Sequence, residues 1–277
     1  MLASVAVFAS PPTSEIKLVF SIPRYLPTPN FAPSWLKGSF KRRSGQRSVP
    51  CLSSPGSTVP RPPDIPRAVR SEIPGRPERA ATTLATQLAV AWARCGARVA
   101  ALDIDPQGSF STWVDLRRAR LGAKAIGFDF AALPGWRAAQ WVDDRVGSAD
   151  LVVIDAPPHA ETEARIAVRV ARLVVVPVQP SPLDLWATAE TLKMAQDERR
   201  RSLVVLNRVP PRSRLTEDIA ADLASAGTPI AATRIGNRVA LAQAMALGLG
   251  VIENARMTPA AAEISALAEE IRGALSG

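Results

Sequence analysis

The chain has 277 residues, 47% of them hydrophobic, enough for one large α/β domain plus a tail or for two small domains. Its formal net charge of +9 points to an acidic partner such as nucleic acid, but residues 1–80 carry 12 Lys and Arg against 4 Asp and Glu, and residues 81–277 carry 22 against 21. No apolar run of 18 residues is present to span a membrane, and the two cysteines, Cys51 and Cys95, exclude a disulfide framework or a cysteine metal cluster and fit a reducing cytoplasm.

At the start of the chain, Met1–Ser10 is apolar without a preceding basic residue, which makes a poor signal peptide. The first 50 residues bear Ser and Arg with Glu15 as their one acid, a composition that fits an organellar transit peptide somewhat better. The runs Leu2–Ala9 and Ile16–Ile22 have strand character, but neither leads directly into a helix. Residues 23–80 show no sustained period and are dense in Pro, Ser and Arg, as at Lys41-Arg42-Arg43 and Arg61-Pro62-Pro63, the composition of a disordered linker with solvated charge. The expected organisation is a tail over residues 1–80 and an α/β domain over 81–277.

From Thr82 the pattern changes. Leu84, Leu88, Ala91 and Trp92 recur at helical spacing over Thr82–Cys95, and Gly96 supplies a C-cap. Arg98–Ile104 predicts a buried strand and Ser109–Leu121 a helix. Strands are expected at Leu151–Ile154, Leu173–Val178, Leu203–Leu206 and Pro229–Ala232, and helices at Leu183–Glu198, Leu215–Ala226, Asn237–Leu247 and Pro259–Leu275. Strands alternating with helices imply a doubly wound, mostly parallel sheet, in which ligands bind at the carboxyl ends of the strands.

Acids stand at those ends. Asp103 and Asp105 lie in Leu-Asp-Ile-Asp-Pro-Gln-Gly-Ser (102–109), and Asp155 in Val-Ile-Asp-Ala-Pro-Pro-His (153–159). One such Asp reads as a turn former or helix cap. Two such segments in order argue for carboxylates that hold Mg2+ or orient an attacking water. Together with Thr-Thr-Leu-Ala-Thr-Gln-Leu-Ala (82–89), Val-Pro-Val-Gln-Pro-Ser-Pro-Leu-Asp (176–184) and Leu-Asn-Arg-Val (206–209), these segments make residues 82–277 resemble the ParA/MinD-type (deviant Walker) partition ATPases.

The resemblance implies a P-loop NTPase fold, ATP and Mg2+ as cofactors, an ATP-dependent homodimer, non-specific DNA binding and a ParB-like stimulating partner. It implies that Thr82 ligates the metal with Asp155 and with support from Asp103, that Thr83 contacts phosphate, and that Asp105 positions the attacking water. Asn207 matches a position that reads adenine; a strand-end Asn that caps a turn is the other reading. The DNA-binding face implied by the family would draw on Arg208, Arg212, Arg214, Arg234 and Arg238.

One segment departs from the family. Where its pattern is Lys-Gly-Gly-x-Gly-Lys, this chain has Arg76-Pro77-Glu78-Arg79-Ala80-Ala81. Phosphate is cradled there by N–H groups presented from glycine conformations. Pro77 has no N–H, Glu78 brings a repelling charge, and Ala81 stands where a lysine should reach the phosphates. Arg76 keeps the positive charge of the family's first lysine. Arg67–Arg76 cannot be the central apolar strand that should precede the loop, and Ile16–Ile22 could take that place only through a long connection. These losses stop near residue 80 while the acids persist, the pattern of a tail not native to the domain, as in a frameshifted or misjoined gene. A nucleotide-independent scaffold of the same fold is the alternative function. An iron–sulfur reductase of related fold would need interface cysteines, and Cys51 and Cys95 are not placed for that.

Three further features read as structural. His159, the single histidine, lacks a nucleophile partner; Arg199-Arg200-Arg201 ends a helix, where cations are favoured; and Trp92, Trp113, Trp136, Trp141 and Trp186 are assigned to packing.

Overall fold

The computed structural model describes residues 4–7, 16–21, 79–123, 126–157 and 161–276. All of these fall in one of the chain's two units, residues 1–28 with 76–277; the other, residues 29–75, lies outside the described residues. Of the expected linker at 23–80, residues 23–78, Cys51 and Arg76 among them, lie outside the described residues, as does His159, while Arg79 and Ala80 open a helix instead.

In chain order the described elements are β1 (Ser4–Val7), β2 (Ile16–Ser21), α1 (Arg79–Arg94), β3 (Val99–Asp103), α2 (Ser109–Leu121), β4 (Asp129–Ala132), a short 3-10 helix (Gly135–Arg137), α3 (Ala138–Asp143), β5 (Leu151–Asp155), α4 (Glu161–Val170) and β6 (Leu173–Val178). They continue with α5 (Pro182–Asp197), β7 (Arg201–Leu206), α6 (Arg214–Ser225), α7 (Val239–Ala246), α8 (Val251–Asn254) and α9 (Pro259–Ser276). The seven strands form one sheet in the order β4-β3-β5-β2-β1-β6-β7.

β3, β5 and β6 are buried at every position, as parallel strands covered on both faces must be. Alternate residues feed two cores. Ala101, Val153, Val175 and Val205 pack on the side of α1 and α9, and Leu102, Ile154, Val176 and Leu206 on the side of α3 to α6. Helix α1 is the most deeply sunk part of the first core: Leu84, Leu88 and Trp92 are fully buried, and Trp92 Nε1 donates to the Ala268 carbonyl of α9 at 3.1 Å.

The centre of the sheet corrects the sequence reading. A strand does fill the position ahead of α1, and it comes from within the expected tail. β2 runs parallel to β5, with Ile16 opposite Leu151 and Phe20 opposite Asp155, and parallel to β6 at Leu18 and Val19. β1 runs antiparallel to β2 and to β6. The carboxyl end of β2 therefore lies level with that of β5, at the edge where the acids stand. The chain re-enters at α1 after the 57 residues from 22 to 78.

Two smaller expectations also change. Pro229–Ala232 forms no named strand, only a bridge from Ile230 to Val204, because the N–H groups of Ala232 and Thr233 donate instead to the Glu270 carboxylate at 2.6 and 2.9 Å. Trp92, Trp113 and Trp141 are buried as expected, whereas Trp136 is 72% exposed.

Candidate magnesium and nucleotide site

Asp103 and Asp155 end neighbouring parallel strands and face each other in register. Each is 2% exposed. Thr82, in the first turn of α1, closes the group: its Oγ1 donates to Asp155 Oδ2 at 2.7 Å. A turn of α1 thus meets the carboxyl end of β5 through a hydroxyl and a carboxylate, two hard oxygen donors side by side.

Asp103 organises the next loop. Its Oδ1 accepts from the Asp105 N–H at 3.0 Å, and its Oδ2 accepts from the Ser111 N–H and Oγ at 2.9 and 2.6 Å. Asp105 Oδ1 accepts from the Gln107 N–H at 2.9 Å, a local turn of the kind Asp favours. Gly108 then takes φ +60 to start α2, a conformation that other residues adopt at a cost. Asp105 is half-buried at the mouth of the site, while Asp103 works as its anchor. Ser111 is a site residue that sequence reading missed; a serine two positions into a helix carries no signal of its bond to a strand-end acid.

The electrostatics fit a cation. Burial pushes the Asp155 carboxyl well above the usual range, the Asp103 charge adds to this, and the Thr82 hydrogen bond opposes it. Burial also lifts Asp103, against the hydrogen bonds from Ser111 and Asp105. Convergent carboxylates that resist ionisation when alone are what a divalent cation relieves. Thr82, Asp103 and Asp155 therefore fit a Mg2+ site.

The phosphate side fits less well. Ala80 and Ala81 are buried at the start of α1 and offer no cation where the family's lysine stands. Thr83 is half-buried in the same turn. Asn207 sits across the sheet at the end of β7, 4% exposed, with its N–H donating to the Val178 carbonyl and its Oδ1 accepting from the Arg208 N–H, both at 2.8 Å.

The five arginines separate. Arg212, Arg214, Arg234 and Arg238 line one open groove of about 690 Å³. Arg208 is not among its lining; it is half-buried in a left-handed turn (φ +51), and burial lowers its pKa against the pull of Asp184.

Residues 82–251 match the CobQ/CobB/MinD/ParA nucleotide binding domain, and the chain belongs to that family. The match opens at Thr82, just past the divergent loop. The chain is 29% identical over 199 residues to the maintenance of carboxysome distribution protein A of Halothiobacillus neapolitanus, across 69% of this chain and 89% of that one. It is also 29% identical, over 222 residues and the same shares, to the chromosome-partitioning ATPase Soj of Thermus thermophilus. The cell division ATPase MinD of Pyrococcus furiosus shares the fold with a TM-score of 0.57 at 20% identity, over 70% of this chain and 93% of that one. Among the described residues, no helix is long and apolar enough to cross a membrane.

Proposed function

We propose that the chain is a ParA-like switch ATPase that positions DNA or another large cargo, acting as a nucleotide-dependent homodimer with a ParB-like stimulating protein in the cytoplasm. The observation that carries this reading is the convergence of Thr82, Asp103 and Asp155 at the ends of β3 and β5, in a chain of this family. Mg2+ held there would neutralise charge on the phosphoryl oxygens during transfer. Asp105, fixed by Asp103, would orient the attacking water, and Thr83 would contact phosphate. The relatives' names divide between carboxysome distribution and chromosome partitioning, and positioning a cargo is common to both. Binding to non-specific DNA in the nucleotide-bound state would place the protein on the nucleoid.

The loop supports a second reading, a scaffold of the same fold that works without nucleotide. Arg76–Ala81 lacks the glycines and the lysine, and Ala80 and Ala81 at its end are buried in the start of α1. Calorimetric titration of ATP with Mg2+ decides between them, using the full chain beside a variant with Arg76–Ala81 replaced by Lys-Gly-Gly-Val-Gly-Lys. Binding by the unaltered chain means a working switch with an unusual cradle. Binding by the variant alone means an ATPase domain that has lost its loop. Binding by neither supports the scaffold.

A further inference from the structure

The turn that carries Asp105 is closed on itself. The Gly108 N–H donates to the Asp105 carbonyl at 2.9 Å, and Asp105 Oδ1 accepts from the Gln107 N–H at the same distance. A turn bonded in this way moves as one piece, so the aim of the Asp105 carboxylate depends on what ties the two ends of the turn to the sheet. The near end follows β3 directly: the Ile104 N–H donates to the Asp155 carbonyl at 2.9 Å, and the Asp105 N–H to Asp103 Oδ1 at 3.0 Å. The far end runs into α2, where Gly108 brings no side chain to cap the helix.

Asp103 supplies that cap from across the turn. Its Oδ2 accepts from both the N–H and the hydroxyl of half-buried Ser111, in the first turn of α2, and the hydroxyl distance of 2.6 Å is that of an O–H on a carboxylate. One carboxylate therefore grips both ends of the turn, with one oxygen at Asp105 and the other at Ser111. Phe110, Trp113 and Val114 bury α2 against the sheet, but apolar packing is non-directional and does not fix the rotation of the helix start. The bonds to Asp103 are directional and do. Thr112 beside it gives the contrast: its exposed hydroxyl donates to the Gly108 carbonyl at 2.9 Å, a bond between loop and helix that does not reach the sheet.

We propose that Ser111 is a positioning residue for ATP hydrolysis: through Asp103 it holds the far end of the turn, and so sets where the Asp105 carboxylate stands against the attacking water. The inference rests on the reading of the chain as a switch ATPase and adds to it a residue that acts on Asp105 without touching the reacting atoms. Without the Ser111 hydroxyl, Asp103 keeps the Ser111 N–H, so the fold is retained while the aim of Asp105 loosens. A displacement of about 1 Å is enough to cost about 100-fold in rate.

Turnover of ATP with Mg2+ and hydrogen exchange of the Asp105 amide test it, in the full chain or, where that alone turns ATP over, in the variant carrying Lys-Gly-Gly-Val-Gly-Lys at 76–81. Exchange needs no nucleotide and reads the grip on the turn directly. Ser111→Ala is expected to lower kcat by about 10- to 100-fold with the KM for ATP within about twofold. It should also speed exchange of the Asp105 amide by about 10-fold in the nucleotide-free protein. Ser111→Thr, which keeps the hydroxyl, should restore both to within about threefold. Thr112→Val, which removes a neighbouring hydroxyl that does not reach Asp103, should leave kcat and the Asp105 amide within about twofold. If Ser111→Ala behaves as Thr112→Val does, Ser111 only supports the helix, and the inference is wrong while the switch reading stands. A rise in KM at unchanged kcat would give Ser111 a part in binding and overturn the inference, again leaving the switch reading in place. A fall in kcat with unchanged Asp105 exchange, or one that Ser111→Thr does not restore, would place the effect outside the turn and overturn it as well. If neither the chain nor the loop variant turns ATP over, the switch reading falls and takes the inference with it.

Discussion

Asp155 is buried at the end of β5 beside Asp103, and this burial favours its neutral form. The folded chain therefore keeps a proton that the unfolded chain has released. With the folded pKa above the unfolded value, the native state binds more protons between the two, and stability falls as pH rises through that window. Asp155→Asn keeps the shape and cannot ionise. It is expected to stabilise the protein at pH 7 by about 0.5–2 kcal/mol, with the gain disappearing below about pH 4. Urea melts of both proteins across pH check this, and a gain that grew toward acid would contradict it. Asp103 and Asp155 were legible in the sequence because an acid after an apolar run carries its position with it, whereas Thr82 was singled out by the family resemblance alone. The ion pairs of Arg234 with Glu217 and of Arg238 with Glu263 were not legible, since the partners lie 17 and 25 residues away and are brought up by the fold.

Among elements, α2 and α8 are joined by Arg117, which is 2% exposed. Its Nη1 and Nη2 donate to Glu253 Oε2 and Oε1 at 2.7 and 2.9 Å, and its Nε donates to the Ile126 carbonyl at 2.7 Å. Burial alone would lift the Glu253 carboxyl, but hydrogen bonds from Arg117 and the Gly250 N–H bring it below the usual range. Arg117→Ala, which strands that carboxylate, is expected to cost about 3–5 kcal/mol. Arg117→Met with Glu253→Leu should recover only part of the loss, because Glu253 Oε2 also accepts from the Gly250 N–H at 2.9 Å. Denaturant midpoints of the single and double variants measure both.

The long elements were legible where apolar residues repeat over three turns or fill a whole strand, as in α1, α2, β5 and β6. Those missed are short or weakly patterned. β4 is a four-residue edge strand with no fully buried residue, and α3 and α8 span six and four residues, too short for a period. α4 buries Ala164, Ala167 and Val168 at proper helical spacing, but small side chains between arginines make a faint stripe.

For the whole molecule, β2 is the decisive element. By polymer scaling, closing a connection of 57 residues in place of a tight phosphate loop costs about 2 kcal/mol more, which the pairing of a central strand can offset. Val19→Pro removes the N–H of a residue in register with Val174 and is expected to cost about 3 kcal/mol or more, lowering the melting temperature of the entire domain. A melt unchanged by this substitution would show that the sheet closes without β2. The sequence showed a strand-like run here but not its partner, because pairing across some 130 residues leaves no local trace.

That separation sets an order of events on the ribosome. β2 emerges early, whereas its parallel neighbour β5 begins about 130 residues later, and β6 later still. At about 5–20 residues per second, the nascent chain waits roughly 7–26 s before the strand meets its place in the sheet. β1 is already there, antiparallel to β2 from Ser4 opposite Ser21 to Val7 opposite Leu18, and such a hairpin closes in about 1–10 μs. During synthesis β1 can thus shield one edge of a strand that would otherwise be exposed to neighbouring nascent chains.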